Sequence, residues 1–296
     1  LYLNSMFSLR YTIFPLWNSR SLKPETPVLL APRGMLHTGA LSLKPFKKKV
    51  FLRMLKLTGV YKQLRFQATD AQEAIDIKAV FGKHAQILSA PNMPKMDQPP
   101  FQAIEKAAGK LKMVFMSRLT AKKGLHLLLE MLVGQKAEIH LSIIGPDKEP
   151  GYWQQCQKII ARLPSNVTVE KHEPMPADQA FKHLQEAHCF AMPTLGENFG
   201  HAIFEAFCAG RPVLISDQTP WRDLTNRHLG FDISLSEAQQ FNAAISQLAT
   251  MEQGEWDKWA KSSWEFASNF VAQGDLITEN KALFEAALLP INEREQ

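Results

Sequence analysis

The chain has 296 residues, enough for two domains, and its 45% hydrophobic and 21% charged residues are the balance of an ordinary soluble globular protein. No apolar run approaches the roughly 18–20 residues that a membrane-spanning helix needs, which excludes an integral membrane protein of that kind. Three isolated cysteines, Cys156, Cys189 and Cys208, form no CxxC pair. They predict buried thiols in a reducing cytoplasm, not disulfides or zinc ligands.

The net charge of +5 is unevenly distributed along the chain. No acidic residue lies between Glu25 and Asp70, and the basic residues there are Arg33, Lys44, Lys47, Lys48, Lys49, Arg53, Lys56, Lys62 and Arg65. Such a segment suits an anionic partner, such as lipid headgroups or a phosphorylated acceptor. Nucleic acid is not expected as a partner, because neither a known motif nor interleaved aromatic residues accompany the charge.

The first ninety residues predict an α/β unit of about three strands. Apolar patterns indicate strands at 26–34, 63–69 and 84–92, with helices at 47–57 and 70–82. A Rossmann-type half usually has five or six strands. The unit is therefore either a small cap or a domain whose opening strands precede Leu1, and the missing initiator Met favours an incomplete domain.

Helix 47–57 is basic and amphipathic. Its apolar residues Val50, Phe51, Met54 and Leu55 are predicted to lie on one side of the helix, and its basic residues are Lys47, Lys48, Lys49 and Arg53. Two interpretations stay open: the helix rests on an anionic membrane and recruits a lipid-linked acceptor, or its apolar side packs on the sheet and the lysines are merely solvated. We expect electrostatic attraction to anionic lipid rather than insertion.

From Lys110 onward, strands and helices alternate. Strands are predicted at 111–117, 138–145, 166–171, 188–194 and 212–217, and helices at 123–132, 151–163, 177–187 and 198–210. Apolar strands separated by helices of about ten residues indicate βαβ units, and hence a doubly wound parallel sheet with right-handed crossovers. The Pro-rich stretch 91–100 is the predicted linker, which divides the chain into domains 1–95 and 96–270, and a C-terminal helix within 271–296 is expected to pack back towards the first domain.

Two glutamates, Glu197 and Glu205, flank Gly200 where a strand gives way to a helix. Ligands of open α/β folds bind at this carboxyl edge of the sheet, and a helix N-terminus favours an anion. The spacing fits a ligand with hydroxyl groups at both ends and phosphates between them, as in a sugar nucleotide. One such glutamate alone would indicate only an acidic residue that complements the helix dipole.

Several segments together resemble one family. "ENFGHAIFE" resembles the glutamate–seven residues–glutamate signature of the retaining glycosyltransferases of family 4, the group 1 glycosyltransferases of GT-B fold. "RLTAKKG", "LSIIGP" and "AGRPVLISD" resemble further elements of its donor domain, and "APRGML", "ATDAQEA" and "PNMP" resemble acceptor-side elements. The resemblance implies two Rossmann-like doubly wound domains that face a cleft, the first incomplete. "ENFGHAIFEA" with "TPWRDL" suggests the branch that builds bacterial surface polysaccharides.

The resemblance also implies roles for individual residues. Arg118 and Lys123 would clamp the donor diphosphate, Glu197 would face the transferred sugar, and Glu205 would bind the ribose. Further donor-side positions are Asn198, Phe199, Gly200, His201 and Gly145, and acceptor-side positions are Arg33, Gly34 and Asn4. Three departures stand out: the family's N-terminal glycine-rich loop is absent, Glu173 stands where glycine is usual, and Gln67 replaces a histidine.

The implied activity is transfer of a hexosyl group, with retention, from a nucleotide sugar (a UDP-sugar is favoured) to a saccharide or lipid-linked acceptor. No Asp-x-Asp triplet is present to ligate a divalent ion, so neither a metal nor another cofactor is expected. The implied setting is the cytoplasm, including the inner face of its membrane. The alternatives are a non-catalytic module that binds sugar nucleotide or polysaccharide, and an epimerase of the same fold.

Overall fold

The computed structural model describes residues 1–22, 26–42, 45–94, 98–273 and 275–289. In chain order the first elements are β1 Tyr2–Leu3, α1 Phe14–Leu22, β2 Val28–Leu30, α2 Thr38–Ser42, α3 Pro45–Leu57, β3 Leu64–Ala68, α4 Ala71–Phe81 and β4 Gln86–Ser89. They are followed by β5 Lys110–Met116, α5 Leu125–Leu132, β6 Glu138–Ile144, α6 Tyr152–Ile160, β7 Val167–His172, α7 Ala177–Glu186, β8 Cys189–Met192 and α8 His201–Cys208. The last are β9 Val213–Ser216, β10 Gly230–Ile233, α9 Ala238–Thr250, α10 Gln253–Gln273 and α11 Leu276–Leu288.

The chain forms two compact units. The first comprises Leu1–Met93 together with Gly274–Gln296, and the second comprises Pro94–Gln273. The chain thus returns to its first unit at its C-terminal end, with α11 as the returning helix. Within the described residues, no helix is both long and apolar enough to cross a membrane.

The first unit contains a parallel sheet in the order β1-β2-β3-β4. Since side chains alternate along a strand, one face carries Leu30 and Phe66, which pack with the buried residues of α1, α3 and α4. The opposite face carries Leu29, which clusters with Leu283 and Ala287 of α11. The helix from the far end of the chain therefore supplies the second helical layer of this sheet.

Strand β1 is the strand that the sequence pattern did not predict in this unit, and helices α1 and α2 were not predicted either. It is two residues long, too short to show an alternating pattern, and it pairs Tyr2 with Leu29 and Leu3 with Leu30 of β2. The described sheet therefore has four strands where about three were predicted.

The second unit contains a six-stranded parallel sheet in the order β10-β9-β8-β5-β6-β7. The strands are largely buried and apolar, as expected when helices cover both faces of a sheet. The order runs outward from β5 through β6 to β7, then reverses to β8, β9 and β10. This is the doubly wound arrangement predicted from the alternating pattern, and its reversal between β5 and β8 creates a crevice at the carboxyl ends of those strands.

All three cysteines are free and buried, as predicted. Burial raises the pKa of the Cys156 thiol to about 11 and that of the Cys189 thiol to about 12. Both thiols therefore remain protonated near neutral pH and act as small apolar groups in the hydrophobic core of the second unit.

Candidate functional site

Two loops meet at the crevice of the second unit: residues 117–124 after β5 and residues 193–200 after β8. The backbone carbonyl of Lys122 accepts hydrogen bonds from the Leu195 N–H (2.8 Å) and the Thr194 hydroxyl (3.1 Å). Gly124 lies so close to the other loop that a Cβ there would be 2.0 Å from the Pro193 carbonyl oxygen. At the topological switch point, the backbones of the two loops are therefore closely packed and held in place by hydrogen bonds.

Predicted site residues from both loops are in direct contact. The Lys123 ammonium forms an ion pair with the Glu197 carboxylate, and the two side chains are 14% and 13% exposed. The Thr194 hydroxyl also lies 3.4 Å from the same carboxylate. Lys123 lies in the 3₁₀ turn Ala121–Lys123 that precedes α5, not in the helix itself, so its side chain stays at the edge of the sheet.

Lys122 is a third cation here, which the motif comparison did not select. Shielding from water lowers the pKa of its ammonium group, Glu197 raises it, and the charges of Lys123 and Arg118 lower it. These mutual effects place Arg118, Lys122, Lys123 and Glu197 within one electrostatic group of three cations and one carboxylate. Such a group has a net positive charge and favours an anion.

Gly145 directly follows β6 and packs against the backbone of the loop after β5. Its φ of 142° favours glycine, and a Cβ would lie 1.9 Å from the Ser117 carbonyl oxygen. The Leu119 N–H donates to the Pro146 carbonyl at 2.9 Å. The loops that follow β5 and β6 are therefore joined on either side of Arg118 in sequence, at Ser117 and Leu119, and Arg118 itself is exposed.

Helix α8 begins at His201, three residues later than predicted, because Gly200 adopts a left-handed conformation with φ 81° and ends the loop. Phe199 is buried, and its carbonyl accepts a hydrogen bond from the Trp221 indole. Asn198 and Glu205 are half-buried, and His201 is exposed. Phe199 contacts the rings of Phe204, Trp221 and Phe270. Phe204 and Trp221 lie within the quoted motifs, where they were given no role of their own, and Phe270 lies outside them.

The predicted acceptor-side residues lie together in the first unit. The Arg33 guanidinium donates through Nε to the Asn4 side chain at 2.6 Å. Gly34 follows in the same turn, and its N–H donates to the Glu73 carboxylate at 2.6 Å. Tyr2 and Asn92 also accept from Arg33. The sequence did not predict that Asn92 is a partner of Arg33, and it gave no sign that Tyr2 and Glu73 belong to this cluster. These residues are far apart in sequence, so no local pattern connects them.

The orientation of α3 differs from the predicted one. Leu55 is buried and Phe51 packs against the core and the Phe7 ring, so these two do not share the exposed face of Val50 and Met54. The exposed apolar residues of α3 are Phe46, Val50, Met54 and Leu57. Lys48 is also committed to the fold, because its ammonium donates to the Ala40 carbonyl at 2.5 Å.

Within the part of the chain that the structure describes, no group of three or more His, Cys, Asp or Glu residues is arranged to hold a metal ion.

The sequence matches the family model described as "Glycosyl transferases group 1" over residues 97–263, more than half of the chain. No curated protein matches the chain.

Solved structures resemble the whole chain in fold. The crystal structure of WaaG, a glycosyltransferase involved in lipopolysaccharide biosynthesis, has a TM-score of 0.65 at 15% identity, with 95% of this chain and 84% of that one covered. Anabaena HepE in complex with UDP and glucose has a TM-score of 0.71 at 15% identity, with 96% and 77% covered. Trehalose-6-phosphate synthase, in a study of glycosyltransfer with retention, has a TM-score of 0.70 at 10% identity, with 98% and 73% covered. These similarities confirm the predicted α/β fold of the GT-B class.

Proposed function

The chain belongs to the glycosyl transferases group 1 family, and from this membership we propose that it transfers a hexosyl group from a nucleotide-diphosphate sugar to a saccharide or lipid-linked saccharide, with retention of anomeric configuration. The favoured donor is a UDP-sugar. The proposed setting is the synthesis of cell-surface polysaccharide or lipopolysaccharide, a process in which the structurally similar WaaG is involved.

The observation that carries this proposal is the charge group at the switch point. Lys123 pairs with the Glu197 carboxylate at the carboxyl edge of the sheet, and Lys122 feels the charges of Glu197, Lys123 and Arg118. A departing nucleoside diphosphate gains negative charge as the glycosidic bond breaks. Fixed cations stabilise that charge in the transition state more than in the ground state, which is the condition for catalysis.

The remaining donor-side residues have roles that suit their positions. Phosphate would lie at the N-terminus of α8, because the first turn of a helix presents N–H groups and the positive end of its dipole. The Asn198, Phe199 and Gly200 backbone would contact the sugar hydroxyls and phosphate, and His201 would cover the pocket. Glu205, one turn into α8, would accept hydrogen bonds from the ribose hydroxyls.

Glu197 has a different role from Glu205, since it is paired with Lys123. We propose that the phosphate of a bound donor pairs with Lys123 in place of Glu197. The Glu197 carboxylate is then left to face the sugar. No step in this scheme needs a metal ion, because the protein's own cations stabilise the leaving group. Attack on the same face of the sugar, assisted by the departing phosphate, gives retention.

Calorimetric titration with UDP, GDP and ADP tests the donor site. We expect selective binding of one nucleotide, UDP, that weakens about tenfold or more in Arg118→Ala and in Glu205→Ala, since each change removes a charged hydrogen-bonding group. Lys136→Ala is the matched control, because Lys136 is exposed at the opposite, amino edge of β6. Equal affinity in all four proteins, or no binding of any nucleotide, would contradict the donor site. Release of UDP from UDP-glucose then tests turnover.

We also propose contact between α3 and an anionic membrane. The exposed residues Phe46, Val50, Met54 and Leu57 recur at helical spacing, so they form one stripe. Lys47, Lys49 and Arg53 are exposed beside the stripe. A basic helix with an exposed apolar stripe is typical of helices that rest at a membrane surface.

Vesicle sedimentation tests this contact. In Lys47→Glu/Lys49→Glu/Arg53→Glu, affinity for vesicles that contain phosphatidylglycerol should fall at least tenfold, because each basic residue near such a surface contributes about 1 kcal/mol. The triple variant Lys136→Glu/Lys158→Glu/Lys182→Glu makes the same charge change on exposed residues of the second unit. An equal loss in both triple variants would show that only net charge matters, and would exclude α3 as the contact.

A further inference from the structure

Arg33 lies in an unusual backbone conformation at the carboxyl end of β2. Its φ of 55° is in the left-handed region, which residues other than glycine seldom adopt. The buried carboxylate of Glu73 holds this turn, because it accepts from the Gly34 N–H and from the Thr69 N–H and hydroxyl. Strained residues that a structure holds so firmly are concentrated at functional sites.

The Arg33 guanidinium is held by neutral oxygen atoms. Nε donates to Asn4 at 2.6 Å, Nη2 donates to the Tyr2 hydroxyl at 2.6 Å, and Nη1 donates to the Asn92 side chain. Among the residues that the structure describes, no carboxylate forms an ion pair with it. A guanidinium has five N–H groups, so these three bonds leave one N–H on each Nη atom for a further acceptor.

A second layer orients these partners. The Tyr2 hydroxyl donates to the Gln67 side-chain oxygen at 2.8 Å, and the Gln67 amide donates to the Ala90 carbonyl at 3.1 Å. Gln67 is 1% exposed, so its orientation is fixed by burial as well as by bonding. The Tyr2 proton is directed to Gln67, which leaves the Tyr2 oxygen to accept from Arg33. The cation is thereby preorganised.

All four strands of the first sheet contribute to this arrangement at their carboxyl ends. Asn4 follows β1, Arg33 follows β2, Gln67 lies near the end of β3 and Asn92 follows β4. Parallel α/β sheets bind ligands at this edge. A fixed guanidinium whose partners are all neutral, with two N–H groups left over, is suited to a bidentate contact with an anion.

From this geometry we propose that Arg33 recognises a phosphate group on the acceptor substrate, which makes the acceptor a phosphorylated or phosphate-linked saccharide. The inference rests on the proposed function, since it specifies what the acceptor side binds. Asn4, Tyr2 and Asn92 are positioning residues, because they hold the fork of Arg33 in one orientation. A phosphate dianion also suits the segment between Glu25 and Asp70, which contains no acidic residue.

The test is calorimetric titration of the full chain, saturated with UDP so that the donor site is occupied. Glucose 6-phosphate and farnesyl phosphate in micelles separate a soluble acceptor from a lipid-linked one, and glucose and glucuronate serve as neutral and carboxylate comparisons. We expect at least one phosphate to bind, glucose to bind more weakly, and Arg33→Asn to lower phosphate affinity about tenfold or more. Asparagine tolerates the left-handed backbone, so this variant removes the guanidinium without new strain.

Two further proteins complete the test. Arg33→Lys should recover part of the affinity, and Lys83→Asn should leave it unchanged, since Lys83 is exposed on another loop. Phosphate affinity that is absent, equal in Arg33→Asn, or exceeded by that of glucuronate would overturn the proposal. Affinity for UDP, measured separately, bears only on the donor site, so failure of one proposal is distinguishable from failure of the other.

Discussion

In the second unit the strand order reverses between β5 and β8, whereas the described strands of the first unit run β1-β2-β3-β4 in sequence order. The reversal of strand order itself creates a crevice, and charged residues of the loops after β5 and β8 line it. The first sheet has no such reversal among its described strands. In the first unit, side chains at the ends of four strands form the hydrogen-bond network around Arg33. Similar α/β sheets can therefore place a site either by strand order or by a hydrogen-bond network.

Each unit contains a buried arginine that donates hydrogen bonds to backbone carbonyls. These two arginines allow the stabilities of the two units to be compared by the same kind of mutation. Arg211 is 0% exposed and donates to the carbonyls of Leu184 (3.1 Å) and Gly210 (3.1 Å), and also to Gln102 and Gln185. Burial lowers its pKa to about 10. In the first unit, Arg65 donates to the carbonyls of Ala287 and Leu289 at the end of α11.

The largest expected effect comes from breaking these two anchors. Arg211→Met should lower the free energy of unfolding by about 3 to 5 kcal/mol, because buried carbonyls lose their donors. Arg65→Met should cost less, about 1 to 3 kcal/mol, since it frees two carbonyls at a helix end. Denaturant unfolding followed by tryptophan fluorescence measures the first, because five of the six tryptophans lie in the second unit.

Hydrogen exchange over residues 276–288 measures the second effect. Arg65→Met should speed exchange in α11 and leave α8 unchanged, and Arg211→Met should not affect α11 selectively. If both variants lowered protection equally in the two helices, the anchors would not act within their own units, and the comparison would be wrong.

A pair of glycines sharpens the comparison at the level of the backbone. Gly145→Ala places a Cβ 1.9 Å from the Ser117 carbonyl oxygen at a φ of 142°, so the loop after β6 must move. We expect a loss of about 3 kcal/mol from overlap and strain, with weaker UDP binding, because Arg118 follows Ser117. Gly59→Ala, in the first unit, has a φ of 67° and nothing within 4 Å of the new Cβ. It should cost about 1 kcal/mol and leave UDP binding unchanged. Equal costs would show that overlap at Gly145 is relieved without movement of the crevice.

The second unit was the more predictable of the two. Its strands are four to seven residues long and, apart from the mixed sequence of β7, rich in apolar residues; five of the six were predicted, because periodicity is informative for such segments. The strand-to-helix loop with Glu197 was visible because the flanking patterns differ. The later start of α8 could not be predicted from the sequence. It depends on the left-handed backbone conformation of Gly200, which the amino-acid composition does not determine.

The first unit was less predictable because its important contacts are distant in sequence. Tyr2, Arg33 and Asn92 meet only after four strands have paired, and no local pattern records that meeting. For α3, the sequence shows apolar residues at helical spacing on more than one face. Only packing decides that Leu52 and Leu55 are buried and that Val50 and Met54 are exposed.

The last prediction concerns the acid stability of the second unit. His188 is 3% exposed, and its Nδ1 accepts from the Lys112 N–H at 2.9 Å while its other ring nitrogen contacts the Glu105 carbonyl at 2.9 Å. Its pKa is lowered from 6.5 to about 4, mainly by burial; the hydrogen bond with the Glu105 carbonyl opposes this shift, and the charges of Lys106, Lys112 and Arg211 contribute to it.

Because the folded chain holds His188 neutral down to about pH 4, the unfolded chain binds more protons between that pH and 6.5. Stability from this residue is therefore complete above pH 6.5 and falls as the pH falls, by about 2 kcal/mol between pH 7 and pH 5. His188→Gln should lower stability at pH 7 but flatten its dependence on pH, measured by tryptophan fluorescence in urea at several pH values. A pH dependence as steep in His188→Gln as in the parent chain would assign the acid sensitivity to other groups. A flattened one would show that the second unit, with its buried cations around His188, is the acid-sensitive half of the molecule.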